Sequence, residues 1–421
     1  MKVKVKNITY EQMLALPSKK YKKPKKINWF YQTLLKIICH GELKKVNFKV
    51  EKVDMDKLPK NQPCLILMNH CSSIDLKIAA TIMDRRPVSI VCTIDAMLGK
   101  EWIMRRIGCI PTTKYVKETQ IVKDISYALN KLKSSVLMFP EAGYSIDGLA
   151  GAMPTSLGKL IKLLGVPVVM ITTYGAFTID PLYNALQKRK VEVSAQVKYL
   201  LSPKDIEEKT AEQINQTVDK EFSFDYFEWQ KQNKIKIAEP FRADGLNRVL
   251  YKCTNCLAEG DMVGKGQTLK CEKCGKEYLL TEYGELKALD GDTQISHIPD
   301  WSKWQREEVK KEILAGGYKV KVPVKIGVIK NTKAIFMVGE GILEHDQNGF
   351  RLTGCDGKIN YTQEVLCTHT VCADFFFYEM EDMICVGNKD ILYFCYPKDQ
   401  SKDIVYKMRL AAEELYKLKK Q

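Results

Sequence analysis

The feature that most restricts this fold is the five-residue step from His70 to Asp75 in Asn69-His70-Cys71-Ser72-Ser73-Ile74-Asp75. On one regular helix, at about 100° per residue, the two side chains would point about 140° apart. They meet only if His70 lies in a loop and Asp75 in the first turn of the helix that follows. The flanking residues fit that geometry. Leu65-Ile66-Leu67-Met68 is a short apolar run of strand type, and Leu76-Lys77-Ile78-Ala79-Ala80 opens a helix-like pattern. Ser72 and Asp75 have the S-x-x-D spacing of a capping box. A strand-end histidine oriented by a helix-start carboxylate suits a general base acting on a hydroxyl. The same residues would also serve as a plain helix cap beside a satisfied loop histidine.

A strand–loop–helix start agrees with the rest of residues 60–200, where short apolar runs alternate with helix-length segments. Strands are expected at 87–93, 136–140, 166–172 and 191–200, and helices at 95–107, 117–133 and 155–164. The alternation argues for an α/β layer structure. Residues 203–226 read as polar and helical, as do the segments around Phe227-Glu228-Trp229-Gln230 and Trp301-Ser302-Lys303-Trp304-Gln305.

About seventy residues after His70 comes Phe139-Pro140-Glu141-Ala142-Gly143-Tyr144-Ser145. An N-H-x-S-x-x-D block followed by F-P-E-G-type residues resembles the glycerolipid acyltransferase superfamily, whose best-known members are the lysophosphatidate acyltransferases. Gly108-Cys109-Ile110-Pro111-Thr112-Thr113-Lys114 sits where that family has a glycine followed six residues later by a basic residue. Gly165-Val166-Pro167-Val168-Val169 resembles its last block. The resemblance covers about residues 60–200 and implies a mixed sheet flanked by helices, with an acyltransferase domain over 51–235. It implies catalysis by His70 and Asp75, with Asn69, Ser72, Lys114, Glu141 and Gly143 as substrate-binding candidates. Backbone N–H groups after His70 are candidates for stabilising the oxyanion. Two departures stand out. Lys114 replaces an arginine, which removes the bidentate fork. Ala142-Gly143-Tyr144 replaces the family's Gly-Thr-Arg, so an acceptor-binding arginine is missing, and a lysophosphatidate acceptor is put in question.

Cys253-Thr-Asn-Cys256 and Cys271-Glu-Lys-Cys274 are C-x2-C pairs separated by 14 residues. Each pair can place two thiolates on one tetrahedral ion, and Gly275 follows where a knuckle turn favours positive φ. Residues 260–266 read as a hairpin turn and Tyr278-Leu279-Leu280 as the returning strand. A zinc ribbon over 248–285 is expected, with a structural ion, because four protein ligands leave no open position. No organic cofactor is expected. The chain's other cysteines are scattered, with no secretory signal, and point to a reducing cytosol.

The net charge of +15 is uneven: residues 1–60 hold 16 lysines against 5 acidic side chains. The run Lys19-Lys20-Tyr21-Lys22-Lys23-Pro24-Lys25-Lys26 precedes the apolar, aromatic stretch from Ile27 to Ile38. That is the composition of an interfacial anchor on anionic lipid, so residues 1–50 are read as a basic amphipathic membrane-docking segment. The plainer reading is a packing helix after a solvated lysine run. No stretch reaches the roughly 18 apolar residues of a spanning helix, so a peripheral location on the cytoplasmic face of the membrane is expected. Nucleic acid, the other acidic partner, ranks below membrane because no recognition motif accompanies the charge.

Residues 318–396 change to period-two alternation, with strand-like runs at 318–326, 333–339, 349–353, 365–372, 374–380, 383–387 and 391–396, and a closing helix at 403–418. Residues 300–421 are therefore expected to form a mainly-β domain with a terminal helix, of a pattern that resembles a pleckstrin-homology-like barrel or another small β domain. His297, His345 and His369 fall in or near this half and are expected to be structural. The reading implied by the resemblance is acyl transfer from acyl-CoA or acyl carrier protein to a hydroxyl of a lysolipid acceptor. The competing readings are a lipid-binding protein with a decayed site and a zinc-ribbon nucleic-acid binder.

Overall fold

The computed structural model describes residues 3–83, 86–116 and 118–420. A seven-stranded sheet runs, edge to edge, Lys49–Val53, Ser194–Leu201, Val168–Tyr174, Leu65–Met68, Ser135–Met138, Val88–Thr93 and Cys109–Thr112. All neighbours are parallel except Val168–Tyr174 with Ser194–Leu201, so the sheet is mixed, as the alternation implied. The central strand Leu65–Met68 is buried throughout, which is why it is apolar at every position. Its side chains alternate between two cores. Ile66 and Met68 pack with Ile78, Ala79 and Ile82 of helix Asp75–Ile82. Leu65 and Leu67 pack with Ile125, Leu157, Ile161 and Val218 from three helices on the other face. Helices on both faces hold the end of the central strand, where His70 follows, in a fixed place.

Several elements differ from expectation. The helix expected at 95–107 breaks into a 3-10 turn, Asp95–Met97, and a helix, Glu101–Arg106, because Gly99 lies between them at φ 71°. The expected start at Lys117 lies outside the described residues, and the helix there is Thr119–Asn130. Residues 203–226 split into Pro203–Glu208 and Ala211–Phe222, the second opened by a Thr210–Gln213 capping box.

Residues 262–288 form a four-stranded antiparallel sheet: Met262–Lys265, Thr268–Cys271, Glu277–Leu280 and Leu286–Ala288. Residues 262–265, expected as part of a turn, are thus a strand. Tyr278 meets Trp301 edge-on at 5.1 Å, and the Trp301 indole donates to the Lys252 carbonyl at 2.9 Å. Helix Ile298–Leu314 then leads into the C-terminal sheet. Its order is Ile359–Glu364, Gly349–Gly354, Ile335–Asp346, Val320–Val328, Leu392–Pro397, Met383–Gly387 and Cys372–Asp374, and helix Ile404–Lys420 closes the chain. The strand at 359–364 was not anticipated. Only Cys372–Asp374 is a strand within the two runs expected at 365–372 and 374–380. There Phe376, Tyr378 and Glu379 take left-handed φ values of 54°, 51° and 64°, which end the extended chain.

The N-terminal 50 residues pack in two places. Val5–Asn7 pairs in parallel with Ile335–Met337 of the C-terminal sheet, and Met13 is fully buried. Helix Trp29–Lys44 instead packs against Asp75–Ile82 and buries Cys39 and Leu43. The two halves of the chain are joined elsewhere too. Asp147 accepts hydrogen bonds from Ser302 (2.6 Å) and Tyr406 (3.0 Å), and Tyr378 donates to Asp95 at 3.1 Å.

Candidate active site and metal centre

The end of the central strand and the start of the next helix bring His70 and Asp75 together, with Nδ1 3.0 Å from Asp75 Oδ2. Asp75 is the first residue of its helix and fully buried. The same Oδ2 accepts the Cys71 N–H at 2.6 Å and the Ser72 N–H at 3.0 Å, while Oδ1 has no partner among the described residues. One oxygen therefore fixes both the loop and the ring. The imidazole lies stacked on Phe139 at 4.1 Å, with Tyr144 edge-on at 4.3 Å. With Nδ1 committed to Asp75, Nε2 is the nitrogen left to take a proton.

The capping box expected from Ser72 and Asp75 is half formed. Asp75 accepts the Ser72 N–H, but Ser72 Oγ takes the Ile74 N–H and donates to Asp180. Ser73 also donates to Asp180, at 2.9 Å. Burial pushes the Asp180 carboxyl up to about 6, against the two serine hydrogen bonds. Asn69 accepts the Thr173 N–H at 2.9 Å and bonds to Tyr226. Asn69 and Ser72 are thus turned inward and buried, with these polar atoms committed to other parts of the chain. Four of the amides after His70 are occupied as well: Cys71 and Ser72 bond Asp75, Ile74 bonds Ser72, and Asp75 N–H bonds the Ser72 carbonyl. They are not available to an oxyanion. Asp180 and Tyr226 were missed from sequence, since each lies over a hundred residues from the loop it holds and carries no local motif.

Glu141 Oε1 accepts the His70 N–H at 3.1 Å and Oε2 the Gly151 N–H at 2.6 Å. Burial pushes its carboxyl up to about 7, and these two amides and Arg409 of the C-terminal helix hold it from rising further. Glu141 therefore ties the His70 loop to its own loop from inside. Ala142 takes a left-handed φ of 56°, a conformation that glycine adopts more readily. A Cβ on Gly143 would lie 3.2 Å from the Tyr115 hydroxyl, which donates to the Glu141 carbonyl at 3.1 Å. Gly143 thus permits a close approach of Tyr115. Lys114 lies near Tyr144. Burial works against its charge, but Cys372, Asp95 and Asp374 outweigh that and hold it well above the ordinary lysine range.

The other cluster is Cys253, Cys256, Cys271 and Cys274, whose sulfurs all lie within 4.8 Å of one another. Cys253–Cys274 and Cys256–Cys271 are 3.8 and 3.7 Å apart. Four sulfurs at Zn–S of about 2.3 Å in a tetrahedron would be about 3.8 Å apart, so the donor set fits one metal ion. Gly275 takes φ 76°, as the knuckle turn required. His345 accepts or donates to the Tyr318 hydroxyl at 2.8 Å and stacks on Phe350, and His297 pairs with Asp225 and Asp300.

A search of curated proteins gave no match. Among solved structures, the 1-acyl-sn-glycerophosphate (LPA) acyltransferase PlsC from Thermotoga maritima is similar at 16% identity, over 45% of this chain and 76% of that one, with a TM-score of 0.37. The Acyltransferase family model matches residues 49–173, which include His70, Asp75, Lys114 and Glu141. Residues 49–173 are thus an acyltransferase-family domain.

Proposed function

We propose that this chain transfers a fatty acyl group from a thioester, acyl-CoA or acyl carrier protein, to a hydroxyl of a lysophospholipid-type acceptor in phospholipid synthesis or remodelling. The observation that carries this is the His70–Asp75 pair, with Nδ1 at 3.0 Å from a buried carboxylate and Nε2 uncommitted. As the acceptor oxygen attacks the thioester carbonyl, Nε2 takes its proton. The C–O bond forms, the C–S bond breaks, and the proton passes to the leaving thiolate. Asp75 stabilises the imidazolium in between, a two-residue form of triad logic. The acceptor is the nucleophile, so no acyl-enzyme is needed. An intact pair argues against a decayed binding protein. Incubation of the purified chain with labelled acyl-CoA or acyl carrier protein and a panel of lysolipids tests the reading, and no labelled product from any pairing would refute it.

Two further parts belong to this reading. The four cysteines would hold zinc, which supplies cross-linking of the ribbon and no chemistry. Helix Trp29–Lys44 would dock on anionic lipid at the cytoplasmic face. Trp29, Phe30, Ile37 and Ile38 are 75%, 56%, 66% and 57% exposed, and Trp102, 58% exposed, lies beside Tyr31 at 6.3 Å. No helix among the described residues is long and apolar enough to cross a membrane. Of the lysine run, Lys22 pairs with Glu101 and Lys23 lies over Tyr127, whereas Lys20, Lys25 and Lys26 are exposed toward solvent.

A further inference from the structure

Glu141 is buried, and its two oxygens accept the amides of His70 and Gly151. A carboxylate accepts both bonds well, whereas a protonated carboxyl spends one oxygen as a hydroxyl, the weaker acceptor. The charged form is therefore the one that holds both loops, and burial works against it unless a cation lies near.

The cation comes from the other half of the chain. Arg409 is buried on helix Ile404–Lys420 and reaches Gly151. Its Nη2 lies 3.4 Å from the point where a Cβ on Gly151 would stand, and Glu141 Oε2 lies 3.5 Å from that same point. A side chain longer than a methyl at residue 151 would part the two. Arg409 is itself fixed. Its Nε donates to Glu413 Oε1 at 3.1 Å, Thr370 donates to that oxygen at 2.7 Å, and Arg306 pairs with Oε2 at 2.7 Å. Arg306 and Lys417 also pair with Glu414, at 3.1 and 2.7 Å. Three cations thus face two carboxylates, and the cluster keeps a net positive charge beside Glu141. On the loop side, the titratable neighbours of Glu141 are His70, Cys71 and Asp75, with Tyr226 behind them and the Tyr115 hydroxyl on its backbone carbonyl. Burial and Asp75 push its carboxyl up, and the two amides and Arg409 hold it down.

We propose that Arg409 is a positioning residue for acyl transfer: from the C-terminal helix, and through Glu141, it keeps the amide of His70 in place. The C-terminal domain thereby becomes part of the His70 site. The inference rests on the acyl-transfer reading above.

The test uses the full chain, labelled acyl-CoA or acyl carrier protein, and the lysolipid that the wild type acylates fastest, at pH 6.5 and pH 9. Without Arg409 the Glu141 carboxyl ionises at higher pH. Arg409→Gln should therefore lower kcat about tenfold at pH 6.5, with KM for the lysolipid unchanged, and recover to within about twofold of wild type at pH 9. Comparing the two pH values on one preparation cancels any loss of folded protein. In a Glu141→Gln background there is no charge to support, so adding Arg409→Gln should change kcat less than about twofold. A loss equal at both pH values, no loss at either, or additive effects in the double variant overturns the proposal. If the wild type acylates no lysolipid, the acyl-transfer reading itself fails and takes this inference with it.

Discussion

Replacing Asp75 by asparagine should separate chemistry from folding at this site. Oδ2 accepts from His70 Nδ1, Cys71 N–H and Ser72 N–H, while Oδ1 has no partner among the described residues. An asparagine oxygen at the Oδ2 position keeps all three bonds, and its amide nitrogen takes the place of an oxygen that was already unpartnered. The loop and the ring tautomer should survive. What disappears is the negative charge facing the imidazolium. A charge pair with centres about 4 Å apart is worth about 4 kcal/mol at an effective dielectric of 20. At about 1.4 kcal/mol per factor of ten, turnover should fall about a thousandfold. Asp75→Ala instead leaves two backbone N–H groups without an acceptor, at about 1–3 kcal/mol each, and should lose stability as well as activity. Steady-state acyl transfer alongside thermal unfolding measures both. Turnover of Asp75→Asn within tenfold of wild type would refute the charge argument, and unfolding of Asp75→Asn at the temperature of Asp75→Ala would refute the hydrogen-bond argument.

Protein purified without added zinc should carry about one zinc ion per chain, lost in Cys271→Ser by elemental analysis; metal-free, fully folded wild type would count against a structural site. Trp29→Ser with Ile37→Ser should weaken binding to anionic vesicles about a hundredfold, at about 1.5 kcal/mol or more per large apolar side chain; unchanged sedimentation with the vesicles would place the anchor elsewhere. Glu141 holds its proton more tightly folded than unfolded, its carboxyl raised from 4.5 to about 7 by burial. Stability from this group is greatest in acid and falls as pH rises through that window, by about 3 kcal/mol at 1.36 kcal/mol per unit. Urea unfolding at pH 4.5 and 8 should show wild type losing that much more than Glu141→Gln, and equal slopes would contradict it.

The readable parts of the sequence were those whose cause is local. The 140° mismatch between His70 and Asp75 on a helix forced a loop before the helix, and the structure has it. The four sulfurs and Gly275 followed from spacing alone. The hidden parts depend on distant chain. The sequence gives no sign that Tyr226, Thr173 and Asp180 engage the polar atoms of Asn69 and Ser72. Glu141 proved to be a tie between two loops because its partners are backbone amides, which no motif encodes. The run at 374–380 is aromatic and reads as a strand, yet left-handed turns aim Tyr378 at Asp95. Residues 1–50 carry one composition but serve two places, since a three-residue strand is too short to announce its pairing with residues 335–337.

The most direct test of the central claim is labelled acyl transfer by wild type and His70→Ala, with circular dichroism confirming that both are folded. Among the described residues the His70 side chain hydrogen-bonds Asp75 alone, so its removal should leave the fold intact. The account predicts transfer by wild type and none above background by His70→Ala. Near-normal transfer by folded His70→Ala would contradict it.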